Sequence, residues 1–269
     1  MQRAAVKVVP SRRSSRPPAE AKWKVRCLQY GSLLLVLAIW YLAVGPGHAS
    51  PFILPSPSAV ARALPGLLTS SETWAGLKAT GYQVAWAFVI AASLGLAVGI
   101  LGSRSVLSQR AVEPVLLYAF MAPLILLYPI VVLIFGLGDS SKIAFGVING
   151  FFPMALNTLR GFAAVDPRLL RLARSLGATG LREMAVFRFP AARPMVFAGL
   201  RNCLALCVVA VIAGEILGST GGLGYLIARA ASTLSTTTLY GYIIVTVALA
   251  AILHSLLSRS ETFRDGARS

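Results

Sequence analysis

Long apolar blocks separated by short polar segments make up most of the sequence after residue 27. Six of them approach the length of about 20 apolar residues that a helix needs to cross a membrane. The six blocks are residues 28–44, 79–101, 115–137, 143–159, 197–217 and 239–257. This pattern predicts an all-α membrane protein with about six transmembrane helices.

Small residues and prolines modify two of the blocks. Gly95 and Gly99 lie four residues apart in the second block, a spacing that lets neighbouring helices approach closely. Pro123 and Pro129 interrupt the third block. Because proline removes a backbone hydrogen bond and its ring displaces the preceding turn, we expect a kinked helix there.

The composition indicates lipid rather than water as the main solvent. Hydrophobic residues make up 57% of the 269 residues, and charged residues make up 13%, about half the share of roughly 25% in soluble domains. A formal net charge of +16 would suggest nucleic acid as the partner of a soluble protein. Here the charge is segregated between the blocks, so we expect a lipid membrane and no nucleic acid.

The distribution of lysine and arginine predicts the orientation. Assigning alternate polar segments to opposite sides places 21 basic residues on one side and four on the other. The positive-inside rule then puts both termini in the cytoplasm of a multi-pass cell (inner) membrane protein. An alternative interpretation of the first block is a cleaved signal peptide, but the apolar run is long for one.

These assignments predict three regions. Residues 1–26 are expected to be a basic, disordered cytoplasmic tail, residues 27–258 the transmembrane domain, and residues 259–269 a cytoplasmic C-terminal tail. On the outer side, residues 51–68 combine prolines with an amphipathic pattern. They predict either a short helix near the outer surface or a simple connector.

The cytoplasmic loop at residues 160–193 is too long and too patterned for a passive connection. Asp166 and Pro167 form a helix start, and Gly177 stands where a helix commonly ends. A second helical segment follows and is expected to close at Pro190. We therefore predict two short helices joined at Gly177, the alternative being a charged loop that only obeys the positive-inside rule.

The loop has the spacing of a known motif. Residues 171–173 (RLA) are followed after three residues by Gly177, and after nine more by residues 187–190 (FRFP). This resembles the EAA motif of ABC importer permeases. Residues 135–142 (FGLGDSSK), 151–153 (FFP) and 221–226 (GGLGYL) resemble the nitrate/sulfonate/taurine branch of that family. The resemblance covers roughly residues 50–258.

The resemblance implies a type I ABC importer permease fold and a defined set of partners. They are cytoplasmic ABC ATPase subunits, a second permease copy in a homodimer, and an extracytoplasmic substrate-binding protein that delivers a small anionic or organic solute. The coupling loop would span residues 160–195. Its contacts to the ATPase would come from Arg171, Ala173, Arg174, Ser175, Leu176, Gly177, Ala178 and Pro190.

The chain departs from the motif in its first residues. Arg171 stands where the family carries glutamate, and Leu172 stands where it carries the first alanine. Phe187 and Phe189 replace its isoleucine and leucine, whereas Ala173, Gly177 and Pro190 match. The shape of the loop is therefore a firmer expectation than a contact made by Arg171.

Four further residues are candidates for the pathway or its gate. Glu215 is an acid at the outer end of the fifth block, just before a glycine-rich segment that contains Gly222. Acids within membranes are costly and often functional. Asn149 and Asn157 in the fourth block are polar and are expected to find partners across helices. Blocks three to five are expected to form the pathway, and a solvated or loop-bound Glu215 is the alternative.

The sequence offers no catalytic constellation. It lacks the Gly-x-x-x-x-Gly-Lys-Ser/Thr pattern of ATP-hydrolysing P-loops. His48 and His254 are far apart, and the thiols of Cys203 and Cys207 alone do not complete a zinc site, so we expect no metal or other cofactor. The prediction is a non-catalytic transport subunit, the alternative being a passive channel or a membrane-embedded enzyme without an ATPase partner.

Overall fold

The computed structural model describes residues 19–44 and 53–265, which contain helices and no β-strand. The larger helices are α1 (Ala19–Ala43), α2 (Pro57–Thr69), α3 (Ser71–Gly102), α4 (Val106–Met121), α5 (Tyr128–Phe135), α6 (Asp139–Ala163), α7 (Pro167–Ser175), α9 (Phe189–Leu217), α10 (Leu223–Ser232) and α11 (Thr236–Asp265). Two short segments are helical as well: a 3₁₀ turn at Leu124–Leu127, and α8 (Gly180–Glu183) followed by a π turn at Met184–Arg188.

The chain divides into two compact units, residues 1–58 and 59–269. In the first unit, α1 begins at Ala19, inside the segment predicted as a tail, and Trp40 donates a hydrogen bond to the carbonyl of Pro55 at 3.1 Å. The rest of the predicted N-terminal tail lies outside the described residues. In the second unit, α11 continues to Asp265, so most of the predicted C-terminal tail is helical.

Helices α3, α6 and α9 form the core of the second unit. Gly95 and Gly99 on α3 face α6, where an added Cβ would lie 2.6 Å from Met154 Cβ and 2.5 Å from Thr158 Cβ, respectively. The small-residue spacing therefore allows a backbone approach that any larger side chain would prevent. Buried alanine, cysteine and valine side chains fill the space between these helices.

The third apolar block is broken, as its prolines predict. Helix α4 ends at Met121, the 3₁₀ turn follows Pro123, and α5 starts with Pro129 in its first turn. The two apolar segments are bent by 79°. The missing N–H groups of proline account for the interruption.

Three described helical segments are long and apolar enough to cross a membrane, and a fourth is added if the bent pair counts as one span. The three are Ser71–Gly102, Gly180–Leu217 and Thr236–Arg259. Helix α6, predicted as a span, has 25 residues but is not one of these three segments. The total of six spans stays a prediction.

Two further predictions concern the segment before α3 and the helix end at Pro190. Residues 57–69 form α2, so the segment predicted to lie on the outer side is helical. It packs so closely on α11 that a Cβ at Gly241 would lie 2.3 Å from the Leu67 side chain. The prediction that a helix closes at Pro190 is wrong. Pro190 lies in the first turn of α9, which continues α8 through the π turn. In the π turn the N–H of Phe189 bonds to the carbonyl of Met184, five residues earlier, and the helix continues although Pro190 has no N–H to donate.

Candidate functional site

Two parts of the molecule gather the residues singled out by the sequence. The first is the elbow, residues 164–188, between α6 and α9. Helix α7 begins as predicted, since the Asp166 side chain accepts a hydrogen bond from the backbone N–H of Arg168 at 2.7 Å. It ends at Gly177, whose φ of +73° favours glycine. The N–H of Ala178 donates to the carbonyl of Ala173 at 2.9 Å, which closes the helix end.

Glu183 holds the elbow in shape. Its carboxylate accepts a hydrogen bond from Arg188 Nε at 2.7 Å, and Arg174 Nε lies 3.5 Å from its other oxygen. It thereby connects α7 to the π turn across the Gly177 bend. Sequence reasoning missed Glu183, although it is the only acid between Asp166 and Glu215 in a segment rich in arginine.

The predicted elbow residues divide into an inner and an outer set. Ala173 and Ala178 are buried on either side of the bend. The exposed set consists of Arg171, Arg174, Ser175, Leu176 and Gly177. Nothing lies within 4 Å of a Cβ placed at Gly177. The two alanines are therefore packed inside the elbow, and the exposed set is accessible to a partner.

The second part is the place where α3, α9 and α10 meet around Glu215. It is called the outer junction after the side to which the charge distribution assigns it. The Glu215 carboxylate is buried and accepts hydrogen bonds from the Thr80 hydroxyl at 2.7 Å and from the backbone N–H of Gly224 at 2.7 Å. The Thr80 oxygen in turn accepts the N–H of Leu223 at 2.9 Å. Glu215 is thus bound to the glycine-rich segment, which was the alternative to a pathway-lining role.

Gly222 is the tightest point of the junction. Its φ is +101°, and a Cβ there would lie 2.0 Å from Glu215 Oε1. Both the backbone conformation and the space require glycine. The sequence singled out Gly222 and Glu215 together, and the structure brings them into contact. No signal in the sequence pointed to Thr80, which lies 135 residues before Glu215.

Polar contacts extend from the junction to the broken third span. The Tyr128 hydroxyl donates to the carbonyl of Gly214 at 2.7 Å. Lys142, one of the four basic residues that the sequence assigns to the less basic side, is buried and donates to the carbonyls of Leu137 and Gly138. The Tyr128 bond connects α5 to the end of α9, and the Lys142 bonds hold the start of α6 against the segment that follows α5.

The prediction that Asn149 and Asn157 bond to partners on other helices is wrong. The Asn149 amide donates to the carbonyl of Phe145 at 2.9 Å, and the Asn157 amide donates to that of Pro153 at 2.7 Å. Both bonds lie within α6, because a side-chain amide can reach the carbonyl one turn earlier in its own helix. Both side chains are partly exposed.

Cys203 and Cys207 are packing residues. Both are buried, and Cys207 Sγ lies 3.4 Å from the carbonyl of Gly146. A Cβ at Gly150 would lie 2.4 Å from Cys207 Sγ. The thiols therefore occupy the space that glycine leaves between α6 and α9.

An ion pair also connects α3 to α10. Glu72 and Arg229 form a two-bond pair, with Arg229 Nη2 2.7 Å from Glu72 Oε2. The carboxylate raises the pKa of Arg229 above its ordinary value through this hydrogen bond. The arginine also lies over the Tyr225 ring, 5.8 Å from its centroid. This contact joins the helices that Glu215 and Thr80 join further inside.

Comparison with known proteins places these features in a family. Residues 91–261 match the family described as "Binding-protein-dependent transport system inner membrane component". The chain belongs to this family. As a binding-protein-dependent ABC transporter permease it is a multi-pass inner membrane protein, and the matched range contains the elbow together with Glu215 and Gly222.

Individual relatives of this permease have names that refer to transport. SsuC of Escherichia coli (strain K12), whose name refers to aliphatic sulfonates transport, is 31% identical over 88% of this chain and 88% of its own length. "Taurine transport system permease protein TauC" of the same organism is 30% identical over 84% of each chain. "Riboflavin transport system permease protein RibX" of Chloroflexus aurantiacus is 29% identical over 86% of this chain and 88% of its own.

Proposed function

We propose that this chain forms the translocation pathway of an ATP-driven importer for a small anionic or organic solute. The substrate would be of the nitrate, sulfonate or taurine type, and an extracytoplasmic binding protein would deliver it. The names of SsuC and TauC support this substrate class. Because the sequence has no P-loop pattern, ATP hydrolysis falls to a partner subunit.

The observation that carries the proposal is the elbow. Its bend is set by the positive φ of Gly177 and by the ion pairs of Glu183, and its exposed face includes Arg171 and Leu176. A rigid projection of this kind suits docking to a cytoplasmic ATPase subunit. Two copies of the chain, each with both termini in the cytoplasm, would each bind one ATPase subunit through this loop.

The outer junction is proposed to brace the outer gate. Glu215 ties α9 to α10 and Thr80 ties α3 to the same glycine-rich segment. A gate needs elements with two defined arrangements, and a tightly bonded junction supplies one of them. Asn149 and Asn157, partly exposed on α6, are proposed to face the pathway.

ATPase docking at the elbow must be energetically coupled to the gate at the outer junction. ATP binding can change the pathway only if the ATPase in its ATP-bound form binds one permease state more tightly than the other. The helical segment Gly180–Leu217 runs from the elbow to Glu215 without interruption. It provides a direct mechanical connection between the docking surface and the gate.

Reconstitution tests the proposal. The tagged permease is purified from native membranes, its ATPase is identified by mass spectrometry, and the complex is placed in proteoliposomes with the binding protein. Uptake of radiolabelled taurine, an alkanesulfonate and nitrate is then measured with and without internal ATP. ATP-dependent uptake supports the importer, whereas uptake indifferent to ATP and to the ATPase would establish the passive channel.

A pair of variants tests the role of the elbow. Gly177→Val introduces a β-branched residue at a positive φ, where it costs more than about 1–2 kcal/mol. Gly177→Asn is the matched control, because asparagine tolerates this conformation. Loss of ATPase binding in the valine variant alone supports docking through the elbow. Equal binding and uptake in both variants and the wild type would rule out this account of the loop.

A further inference from the structure

A groove with a volume of about 500 Å³ lies between α2, α3 and α11, and it includes no residue of the elbow or of the outer junction. Every residue that lines it is apolar except Lys78. Its volume falls within the range of roughly 300–1,000 Å³ that small-molecule sites have. Apolar surface is ordinary on a membrane protein, whereas a groove with a single cation in its lining is a specific feature.

The walls of the groove are held in place by the protein itself. Trp74 Nε1 donates a hydrogen bond to the carbonyl of Leu68 at 2.8 Å, across the turn between α2 and α3. The Trp74 side chain is 53% exposed, so its ring borders the groove without filling it. The close packing of α2 on α11 at Gly241 fixes the opposite wall. The groove is therefore preformed.

The groove follows one face of α11. Ile244, Ala248 and Ile252 all line it, and their spacing of four residues makes a strip about 12 Å long at 1.5 Å per residue. Lys78 immediately precedes the apolar block at residues 79–101. Because α3 and α11 are both predicted to start on the outer side, the strip extends from near the depth of Lys78 into the hydrocarbon layer.

Lys78 brings a positive charge without a counter-charge to this apolar surface. It is exposed and makes no hydrogen bond or ion pair with any residue that the structure describes. Glu72, the acid of the same helix, is paired with Arg229. Lys78 lies four residues after Trp74, so the two side chains share a face of α3. A charge at the border of the hydrocarbon layer is stabilised by an anion or by reaching water.

A transmembrane helix does not match both features of the groove. The first apolar block, residues 28–44, contains no aspartate or glutamate. That segment of this chain or of a second copy would therefore cover the apolar lining and leave Lys78 without an anion. A phospholipid with an anionic headgroup supplies a negative charge and an apolar chain in one molecule.

We propose that the groove is a binding site for one anionic phospholipid. Its headgroup phosphate pairs with Lys78, and one acyl chain lies along Ile244, Ala248 and Ile252. Leu77 and Leu249 line the groove and also belong to the cluster that packs against α10. The bound chain thus supports the packing of α10, the helix whose first turn is tied to Glu215.

Native mass spectrometry of the full-length permease in detergent tests the headgroup contact. Phosphatidylglycerol and phosphatidylcholine with identical acyl chains are compared, and the affinity of the tightest-bound lipid is measured. The wild type is expected to prefer phosphatidylglycerol. Lys78→Met is expected to lower its affinity about fivefold, and Lys78→Arg is expected to keep it. Equal affinity for the two lipids in the wild type, or an unchanged preference in Lys78→Met, overturns the inference.

Arg62→Met is the matched control for the loss of charge. Arg62 is an exposed basic residue of α2 on the same predicted side, and it does not line the groove. Its replacement is expected to leave the preference for phosphatidylglycerol unchanged. A loss equal to that in Lys78→Met would show that the preference follows the total charge of the surface, and it would contradict a site at Lys78.

Ala248→Phe tests the acyl-chain contact by filling the groove. Ala248 is exposed in the lining, so the added ring extends into the groove rather than into the core. The variant is expected to lose the tightest-bound phosphatidylglycerol. Ala251→Phe adds the same ring at an exposed position of α11 outside the groove and is the control. Retained lipid in Ala248→Phe overturns the inference, and a changed oligomeric mass in its place assigns the groove to a second copy.

Photolabelling of the wild type decides the question even where the variants do not fold. Phosphatidylglycerol with a diazirine at the end of one acyl chain is irradiated with the permease in nanodiscs, and the modified peptides are sequenced. Modification concentrated on α11 around Ile252 is expected, and modification spread evenly over the lipid-facing helices overturns the inference. None of these measurements involves an ATPase or a transported solute, so their outcome is independent of the proposed function.

Discussion

The backbone N–H of Gly224 donates a hydrogen bond to the Glu215 carboxylate at 2.7 Å, so the last turn of α9 is tied to the first turn of α10. The first N–H groups of a helix lack partners within it, and a carboxylate there is favourable. A buried acid thus serves as the cap of a neighbouring helix rather than as an isolated charge.

Gly222→Ala is expected to open this junction. The new Cβ would lie 2.0 Å from Glu215 Oε1 at a φ of +101°, so strain and overlap together cost at least about 2 kcal/mol. The midpoint of thermal unfolding in detergent measures the effect. Gly221→Ala is the control, because nothing lies within 4 Å of a Cβ there. Similar losses in both variants would contradict the proposed contact.

Thr80→Val is expected to weaken the same junction by removing one hydroxyl. The change leaves the N–H of Leu223 and a Glu215 oxygen without the partner they have now, at a cost of about 1–3 kcal/mol. Thr80→Ser keeps the hydroxyl and serves as the control. Combining Thr80→Val with Glu215→Gln in a double-mutant cycle measures the coupling, and strict additivity would show that the two groups act separately.

Gly150→Ala is expected to force α6 and α9 apart. Its Cβ would lie 2.4 Å from Cys207 Sγ and 3.1 Å from Ala91 Cβ, and overpacking of this kind costs about 1–3 kcal/mol. Cys207→Ala in the same chain should recover part of the loss. Gly81→Ala on α3 is the control, because its Cβ would meet nothing within 4 Å. A stable Gly150→Ala protein without the second change would show that this contact is looser.

The two arginines of the Glu183 pair are expected to contribute unequally. Arg188 lies 2.7 Å from the carboxylate with its side chain 21% exposed, whereas Arg174 lies 3.5 Å away and is 63% exposed. Ion pairs between solvent-exposed side chains contribute little to stability. Limited proteolysis of the elbow should therefore accelerate in Arg188→Ala and Glu183→Ala but hardly change in Arg174→Ala. Equal protection in all three variants would exclude Glu183 as the brace.

The sequence predicted features that depend on local chemistry. Pro123 and Pro129 break the third span where their missing N–H groups require it, and Gly177 ends α7 with a positive φ. Asp166 caps the same helix. Each of these outcomes is decided within a few residues of the chain, so spacing and residue type were sufficient.

One feature that depends on a distant contact was missed, and two predictions were wrong because a local alternative was favoured. Thr80 shows no local sign of its bond to Glu215, because the two are brought together only by packing of α3 on α9. Pro190 was expected to close a helix, but the π turn before it lets the helix continue. Asn157 was expected to bond across helices, and the carbonyl one turn earlier competes successfully.

The π turn at Met184–Arg188 also determines a relative orientation. Gly180–Leu217 is a single helical segment of 38 residues, about 57 Å long at 1.5 Å per residue. A helix advances about 100° per residue, and a π turn holds one residue more than the α turn it replaces. That extra residue sets the angular phase between the elbow and the face that carries Glu215. Deleting the exposed Val186 from the π turn would rotate one end of this segment against the other by about 100°.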